Sequence, residues 1–452
     1  MNRHPFALRR QRLADRLGNG VAVIPTAPER VRNRDTHHPY RFDSYFWYLT
    51  AFPEPDAVLV VIGGEVPRSI LFCREKNEER EIWDGYRYGP EGARELFAFD
   101  ETFPIGDFER RLPELIADRD ALWHSLGHDA EWYRCIAAAL NAVRAQSRAG
   151  RRAPREIRDL RAVLDEMRLV KDDSELDTMR RAAAISAAGH ARAMRHCRPG
   201  MAEYELEAEL THEFRRRGAD GHAYTPIVAG GANACVLHYI ENNRVLPEHG
   251  LVLIDAGCEL DGYAADITRT FPINGRFSAA QRDCYEIVLA AQSAAIAAIA
   301  PGASFMAFHD AAVRVLAQGM IDLKLLQGSV DSVIESEAYK RFYMHRTGHW
   351  LGLDVHDAGE YKTGDATNDW IRLAPGMTLT VEPGLYIGPA GDIPAALAGI
   401  GIRIEDDAIV TNTGCDIYTD APKTVAEIEE VMREDVMHKD TTPPEAGSHG
   451  RP

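Results

Sequence analysis

The sequence turns on His345-Arg346-Thr347-Gly348-His349-Trp350-Leu351-Gly352-Leu353-Asp354-Val355-His356-Asp357, which packs three imidazoles and two carboxylates into thirteen residues. Glycines at 348 and 352 break helices and let backbone come close to a neighbour, so the segment is expected to be extended and loop-like. His345 and His349 then need not share a helix face despite their spacing. Taken alone, the stretch could equally be a histidine-rich surface loop, because a motif match is only a hypothesis.

Its company argues otherwise. Upstream, the apolar run Leu251-Val252-Leu253-Ile254 ends in Asp255, and Glu259-Leu260-Asp261-Gly262 leads into Tyr263-Ala264-Ala265-Asp266-Ile267-Thr268-Arg269-Thr270-Phe271. Asp-Gly between two β-rich runs predicts a hairpin, with Leu260 opposite Tyr263, Asp255 opposite Thr268 and Asp266 opposite Gly257. Asp255 and Asp266 then face one side as diagonal neighbours, roughly 7 to 8 Å apart at the backbone. A slip of one residue would send one of them to the other face.

Downstream, Met377-Thr378-Leu379-Thr380-Val381 closes on Glu382-Pro383-Gly384, and Gly401-Ile402-Arg403-Ile404-Glu405-Asp406 places Glu405 on the strand face of Arg403. Four carboxylates and a histidine need a common explanation. Two divalent cations offset about four negative charges and turn a repelling cluster into a stable one. Oxygen-rich donors with one imidazole suit Mn(II) better than a structural zinc site would.

With these residues in hand, the chain resembles the pita-bread metallopeptidases, and among them the Xaa-Pro aminopeptidases (aminopeptidases P). The likeness extends over nearly the whole chain, through Phe46-Trp47-Tyr48-Leu49-Thr50, Arg80-Glu81-Ile82-Trp83, Val236-Leu237-His238-Tyr239 and the segment from Gly401 to Asp406. It implies that Asp255, Asp266, His349, Glu382 and Glu405 hold two divalent ions, Mn(II) by expectation, and no ligand position is substituted. It implies His238 and His356 as substrate-binding and proton-handling groups, Glu382 as the proton relay, and His345 as an assistant in the same pocket. Arg403 is expected to orient carboxylates from just outside the ligand set. Two ions about 3.5 to 4 Å apart would hold a bridging water and lower its pKa toward roughly 7, giving a hydroxide to attack the Xaa-Pro carbonyl. Each histidine alone would more often be a structural residue; the complete ligand set favours function.

The activity so implied is release of the N-terminal residue from peptides with proline second. Proline nitrogen carries no N–H, so an enzyme that binds that proton is excluded, and the ring fixes φ; the specificity itself rests on the resemblance. A prolidase acting on Xaa-Pro dipeptides shares the five ligands and is the alternative. A methionine aminopeptidase lacks such an N-terminal region, and a non-catalytic peptide-binding relative would have lost ligands.

Length and composition frame this reading. A chain of 452 residues predicts two domains. With 45% apolar residues and a net charge of -17, it can bury sizeable cores and is ill suited to nucleic-acid phosphates. Seven cysteines without a Cys-x-x-Cys pair suggest reduced thiols in a cytoplasmic setting. Met1 to Leu17 is basic and amphipathic without the apolar core of a secretory signal, and is read as part of the fold rather than a transit peptide. The apolar run Val58 to Ile62 is far too short to span a membrane.

Strands at 21–25, 57–63, 69–73 and 121–124 alternate with helices such as 131–146, so an α/β domain with a mixed or parallel sheet is expected over 1–170. The resemblance makes it a creatinase-like N-terminal domain serving oligomer contact, and the protein a dimer or tetramer of one chain. It also makes Trp83 a candidate to bind substrate in a neighbouring subunit, where an ordinary core or surface aromatic is the plain alternative. A helix over 156–169 leads to a catalytic domain of α+β pita-bread type at 171–438. There, helix, Pro-Gly, helix and a carboxylate-ended strand occur twice, at 174–266 and 279–405, which predicts internal pseudo-two-fold symmetry. Residues 439–452, including Asp440 and His449, read as a flexible tail.

Overall fold

The structure, a computed structural model, describes residues 4–127, 130–364 and 369–439. The chain divides into two compact units between Arg168 and Leu169. The expected tail beyond Lys439, with Asp440 and His449, lies outside the described residues, and Lys439 itself ends a helix, Val425–Lys439.

In the first unit, helix α1 (His4–Leu17) precedes a six-stranded sheet. Its strands are β1 (Val21–Pro25), β2 (Val58–Ile62), β3 (Arg68–Cys73), β4 (Glu101–Pro104), β5 (Ala121–His124) and β6 (Glu156–Asp159), in the order β4-β3-β2-β1-β5-β6. The central meander β1-β2-β3 is antiparallel, while β4, β5 and β6 each join in parallel. Val58 to Ile62 is buried on both faces, which is why it reads as a continuous apolar run rather than an alternation. One expectation needs correction. Residues 156–169 are not a single helix: Glu156-Ile157-Arg158-Asp159 adds to the sheet edge as a parallel partner of β5, and the Asp159 carboxylate accepts from Arg161 N at 3.1 Å where the helix Arg161–Leu169 begins. A short helix, α2 (Glu78–Asp84), starts at Asn77, whose side chain accepts from Arg80 N.

The second unit opens with two packed helices, α3 (Asp173–His196) and α4 (Glu203–Arg216). Asp172 caps α3 by accepting from Ser174 N and Glu175 N, and Glu175 returns a bond to Asp172 N. An antiparallel sheet follows, β7 (Ile227–Gly230), β8 (Leu251–Asp255) and β11 (Thr268–Pro272), while the hairpin β9 (Cys258–Leu260) and β10 (Tyr263–Ala264) forms a separate sheet with the short strand Gly221–His222. Helices α5 (Ala279–Ala298) and α6 (Ala307–Asp322) then repeat the helix pair. Strands β12 (Thr378–Val381), β13 (Gly384–Ile387), β14 (Ile400–Arg403), β15 (Asp406–Val410) and β16 (Cys415–Ile417) repeat the sheets, as β12-β15-β16 and β13-β14. The order of elements therefore recurs, as the duplication in the sequence implies. One apolar core joins the halves, with Leu206 and Phe214 of α4, Val252 and Ile254 of β8, Val288 of α5, Leu316 of α6 and Val381 of β12 among its buried members. Each such side chain contributes roughly 1.5 to 3 kcal/mol by leaving water.

The histidine segment carries no helix and lies along β12. His349 N donates to Thr380 Oγ1 at 3.1 Å, Thr380 N donates to His349 O at 3.0 Å, and Trp350 bridges to Leu379. So close an approach requires glycine, since a Cβ on Gly348 would stand 2.0 Å from the Thr380 carbonyl oxygen. At the far end of the segment, Asp357 forms a fully buried ion pair with Lys171, at 2.9 Å.

Candidate metal centre

The four expected carboxylate ligands sit where strands stop. Asp255 ends β8, Asp266 lies between β10 and β11, Glu382 follows β12, and Glu405 falls between β14 and β15. Pro383 cannot donate to a ladder, so β12 ends at the carboxylate and the chain turns there. With His349, all five line one cavity of about 580 Å³, together with His238, His345, His356 and Arg403.

Asp266, His349 and Glu405 form the tightest group, their donor atoms all within 4.8 Å of one another. His349 Nε2 stands 3.4 Å from Asp266 Oδ2 and 3.7 Å from Glu382 Oε1. Its Nδ1 is 2.9 Å from the Trp350 carbonyl and must donate there, which leaves Nε2 facing the carboxylates. Tyr224 donates its hydroxyl to Asp255 Oδ1 at 2.6 Å and shares it with Asp266. Thr268 donates to Glu405 Oε2 at 2.6 Å.

Arg403 organises the other side. Its Nη2 pairs with Asp255 Oδ2 at 2.6 Å, its Nε bonds Thr268 Oγ1 at 3.1 Å, and its Nη1 donates to the Tyr386 hydroxyl at 3.1 Å. The Tyr386 hydroxyl also meets His345 Nε2 at 2.8 Å, while His345 Nδ1 donates to the Arg346 carbonyl at 2.7 Å. His345 Nε2 is thus an acceptor, and the bonds run in one direction from Arg403 through Tyr386 to His345. His345 Nδ1 is 3.7 Å from Glu382 Oε2. His356 packs edge-on to His349 with ring centres 4.3 Å apart. Trp83 belongs to the first unit, on α2, and is 81% exposed.

Burial, more than any neighbour, pushes the carboxyls of Asp266 and Glu405 up and brings Glu382 to about 7. Burial alone would lower His349, but Asp266 and Glu382 outweigh it and hold the imidazole at about 9. His345 is pushed down to about 3 by burial and by Arg403. Arg346 and Arg403 are the fixed cations lining the cavity, against four carboxylates. Oxygen donors short of positive charge, with one imidazole whose Nε2 faces them, fit divalent cations that would take the place of its proton.

Tyr224, Tyr386 and Thr268 carry hydrogen bonds that the sequence did not single out. Thr268 stands in the expected hairpin opposite Asp255, and that pairing was its only signal. The tyrosines have no local motif; their hydroxyls gain a role only when distant strands meet.

Fold and site together define a metallohydrolase. The profile of metallopeptidase family M24 matches residues 177–412, and that of the aminopeptidase P N-terminal domain matches residues 6–123. Xaa-Pro aminopeptidase of Escherichia coli K12 is 44% identical over 437 residues, covering 96% of this chain and 98% of that one. The structure of Pseudomonas aeruginosa aminopeptidase PepP is 49% identical, with a TM-score of 0.94 over 97% of this chain and 99% of that chain. A zinc-substituted E. coli aminopeptidase P in complex with product superposes with a TM-score of 0.93 at 43% identity, over 96% of this chain and 99% of that chain. The chain belongs to metallopeptidase family M24, with the two-domain pita-bread architecture of aminopeptidase P.

Proposed function

We infer that this chain is a metal-dependent aminopeptidase that releases the N-terminal residue from peptides with proline in the second position. The observation that carries the reading is the meeting of Asp255, Asp266, His349, Glu382 and Glu405 in one cavity beside His238, His345 and His356. Asp266, His349, Glu405, Asp255 and Glu382 would hold two divalent ions, Mn(II) by the oxygen-rich donor set. Bound there, the ions supply Lewis acidity and ionise a water at neutral pH.

The chain's own groups do the rest. Asp255, fixed by Arg403 and Tyr224, receives the free amine of the substrate. Glu382 takes the proton released by the attacking water and returns it to the departing proline nitrogen. His238 and His356 bind the peptide and donate to the developing oxyanion, and His345, aligned by Tyr386, assists from beside Glu382. Trp83 is read as a substrate contact offered to a neighbouring subunit. A homo-oligomer is supported by the exposed apolar face of Ile82, Trp83 and Tyr86. A cytoplasmic setting is supported by seven free cysteines. No helix of the described residues is long and apolar enough to cross a membrane.

The test compares substrates with the Mn(II)-loaded protein. Xaa-Pro-Yaa tripeptides are expected to lose their first residue, while Xaa-Ala-Yaa peptides resist. Turnover of Xaa-Pro dipeptides with tripeptides untouched would make the chain a prolidase instead.

A further inference from the structure

His238 sits in a connection with little regular structure of its own. Between β7 and β8 the chain makes one short 3-10 turn, Gly231–Cys235, a further turn through Leu237 and His238, and a single bridge from Val245 to Ala202, and His238 is exposed while lining the cavity. Such a segment has few of the ladder or helix bonds that would order it, so its shape must be set from outside.

A single carboxylate supplies most of that order. Glu203, the first residue of α4, is completely buried. Its Oε1 accepts from Gly230 N at 2.8 Å and Asn233 Nδ2 at 3.0 Å. Its Oε2 accepts from the Tyr239 hydroxyl at 2.7 Å and Arg244 N at 2.9 Å. One turn along the same helix face, Glu207 accepts from Asn242 Nδ2 at 2.9 Å, and Asn242 Oδ1 accepts from Val228 N at 2.9 Å. The donors therefore bracket His238 on both sides. A buried carboxylate is stable where its lone pairs are filled, and here one segment fills them all. Glu203 does not itself line the cavity.

We propose that Glu203 is a positioning residue for substrate: it holds residues 230–244 in the shape that turns His238 into the cavity. This rests on the reading of His238 as a substrate-binding group. Glu203 acts on the substrate through His238, and the metal ligands do not depend on it.

The test uses the full Mn(II)-loaded chain and an Xaa-Pro-Yaa peptide, with Glu203→Gln, His238→Ala and the double variant. Glutamine keeps the size but turns an amide N–H₂ toward Arg244 N, so it forfeits bonds on the Oε2 side. Glu203→Gln is expected to lower kcat/KM about tenfold, raising KM and lowering kcat in the proportion that His238→Ala shows, since it acts through that histidine. Metal content stays at the wild-type value, and amide hydrogen exchange quickens in 230–244 but not in 345–357. The double variant loses no more kcat/KM than His238→Ala alone, because both act through one group. Additive losses, an unchanged kcat/KM, or a fall in metal content would overturn the proposal while leaving His238 its role. A wild-type kcat/KM for His238→Ala would instead remove the role of His238 and the proposal with it. Should Glu203→Gln fail to fold, Tyr239→Phe removes one of the four bonds and is expected to lower kcat/KM about threefold; an unchanged kcat/KM there overturns the proposal equally.

Discussion

Arg403 and Asp255, 148 residues apart in the chain, form a 2.6 Å ion pair in which 4% and 14% of the two side chains remain exposed. The same guanidinium reaches Thr268, which holds Glu405, and Tyr386, which holds His345. Removing it leaves Asp255 buried without its charge partner. Arg403→Met is therefore expected to lower metal affinity by about 10- to 100-fold in calorimetric titration. Urea unfolding of the metal-free protein should show a loss of about 3 to 5 kcal/mol. Arg403→Lys should recover little, because an ammonium cannot reach three partners from one plane.

Chelation should abolish activity and lower the thermal midpoint, since ions bind the folded chain alone. At free metal about a thousandfold above Kd, that binding contributes about 4 kcal/mol. Readdition of single metals, followed by calorimetry and peptide hydrolysis, would identify the native ion. Restoration by zinc but not Mn(II) would refute the manganese assignment.

Gly348 is a point where one methyl group decides the site. A Cβ there would lie 2.0 Å from the Thr380 carbonyl oxygen, so the strand and His349 cannot both keep their places. Gly348→Ala should destabilise the protein by about 2 kcal/mol or more and lower bound metal measured by elemental analysis. Wild-type metal content in a folded Gly348→Ala protein would contradict this.

His190, wholly buried on α3, donates through Nε2 to the Ala256 carbonyl at 2.8 Å, and burial lowers its pKa to about 4. Its folded value lies below the unfolded 6.5, so the unfolded chain binds the extra proton and stability falls as pH drops from about 6.5 toward 4. Integrated over that window the loss is about 3 kcal/mol. His190→Gln keeps a donor for Ala256 and cannot titrate, so its acid limb in denaturation against pH should be shallower by that amount. Parallel limbs would refute the assignment.

Local turn chemistry made the hairpin legible. Asp261 and Gly262 adopt φ of 51° and 83°, Leu260 pairs with Tyr263, and Asp255 pairs with Thr268, the register the Asp-Gly turn dictates. Between those pairs Ala256 N donates to the Ile267 carbonyl at 3.0 Å and Ala265 N to the Cys258 carbonyl at 3.1 Å, the register that sets Asp266 opposite Gly257, and the two aspartates meet through Tyr224. Alternation and apolar periodicity likewise announced the central strands and the long helices. Glu156–Asp159 escaped because four residues carry too weak a period to outweigh the helical pattern that follows them. Tyr224 and Tyr386 escaped for a different reason: a hydroxyl signals nothing locally, and its partners come from strands far away in sequence.

The Lys171–Asp357 pair gives the catalytic unit a particular order of assembly. It ties the lead-in of the first long helix to the end of the histidine segment, 186 residues later. During synthesis, an N-terminal fragment ending before that segment would carry an unmatched ammonium and two of the five candidate ligands. A polypeptide released early would accordingly be a poor scavenger of cations and a ready target for proteolysis, and ion capture would report that translation had run nearly to its end.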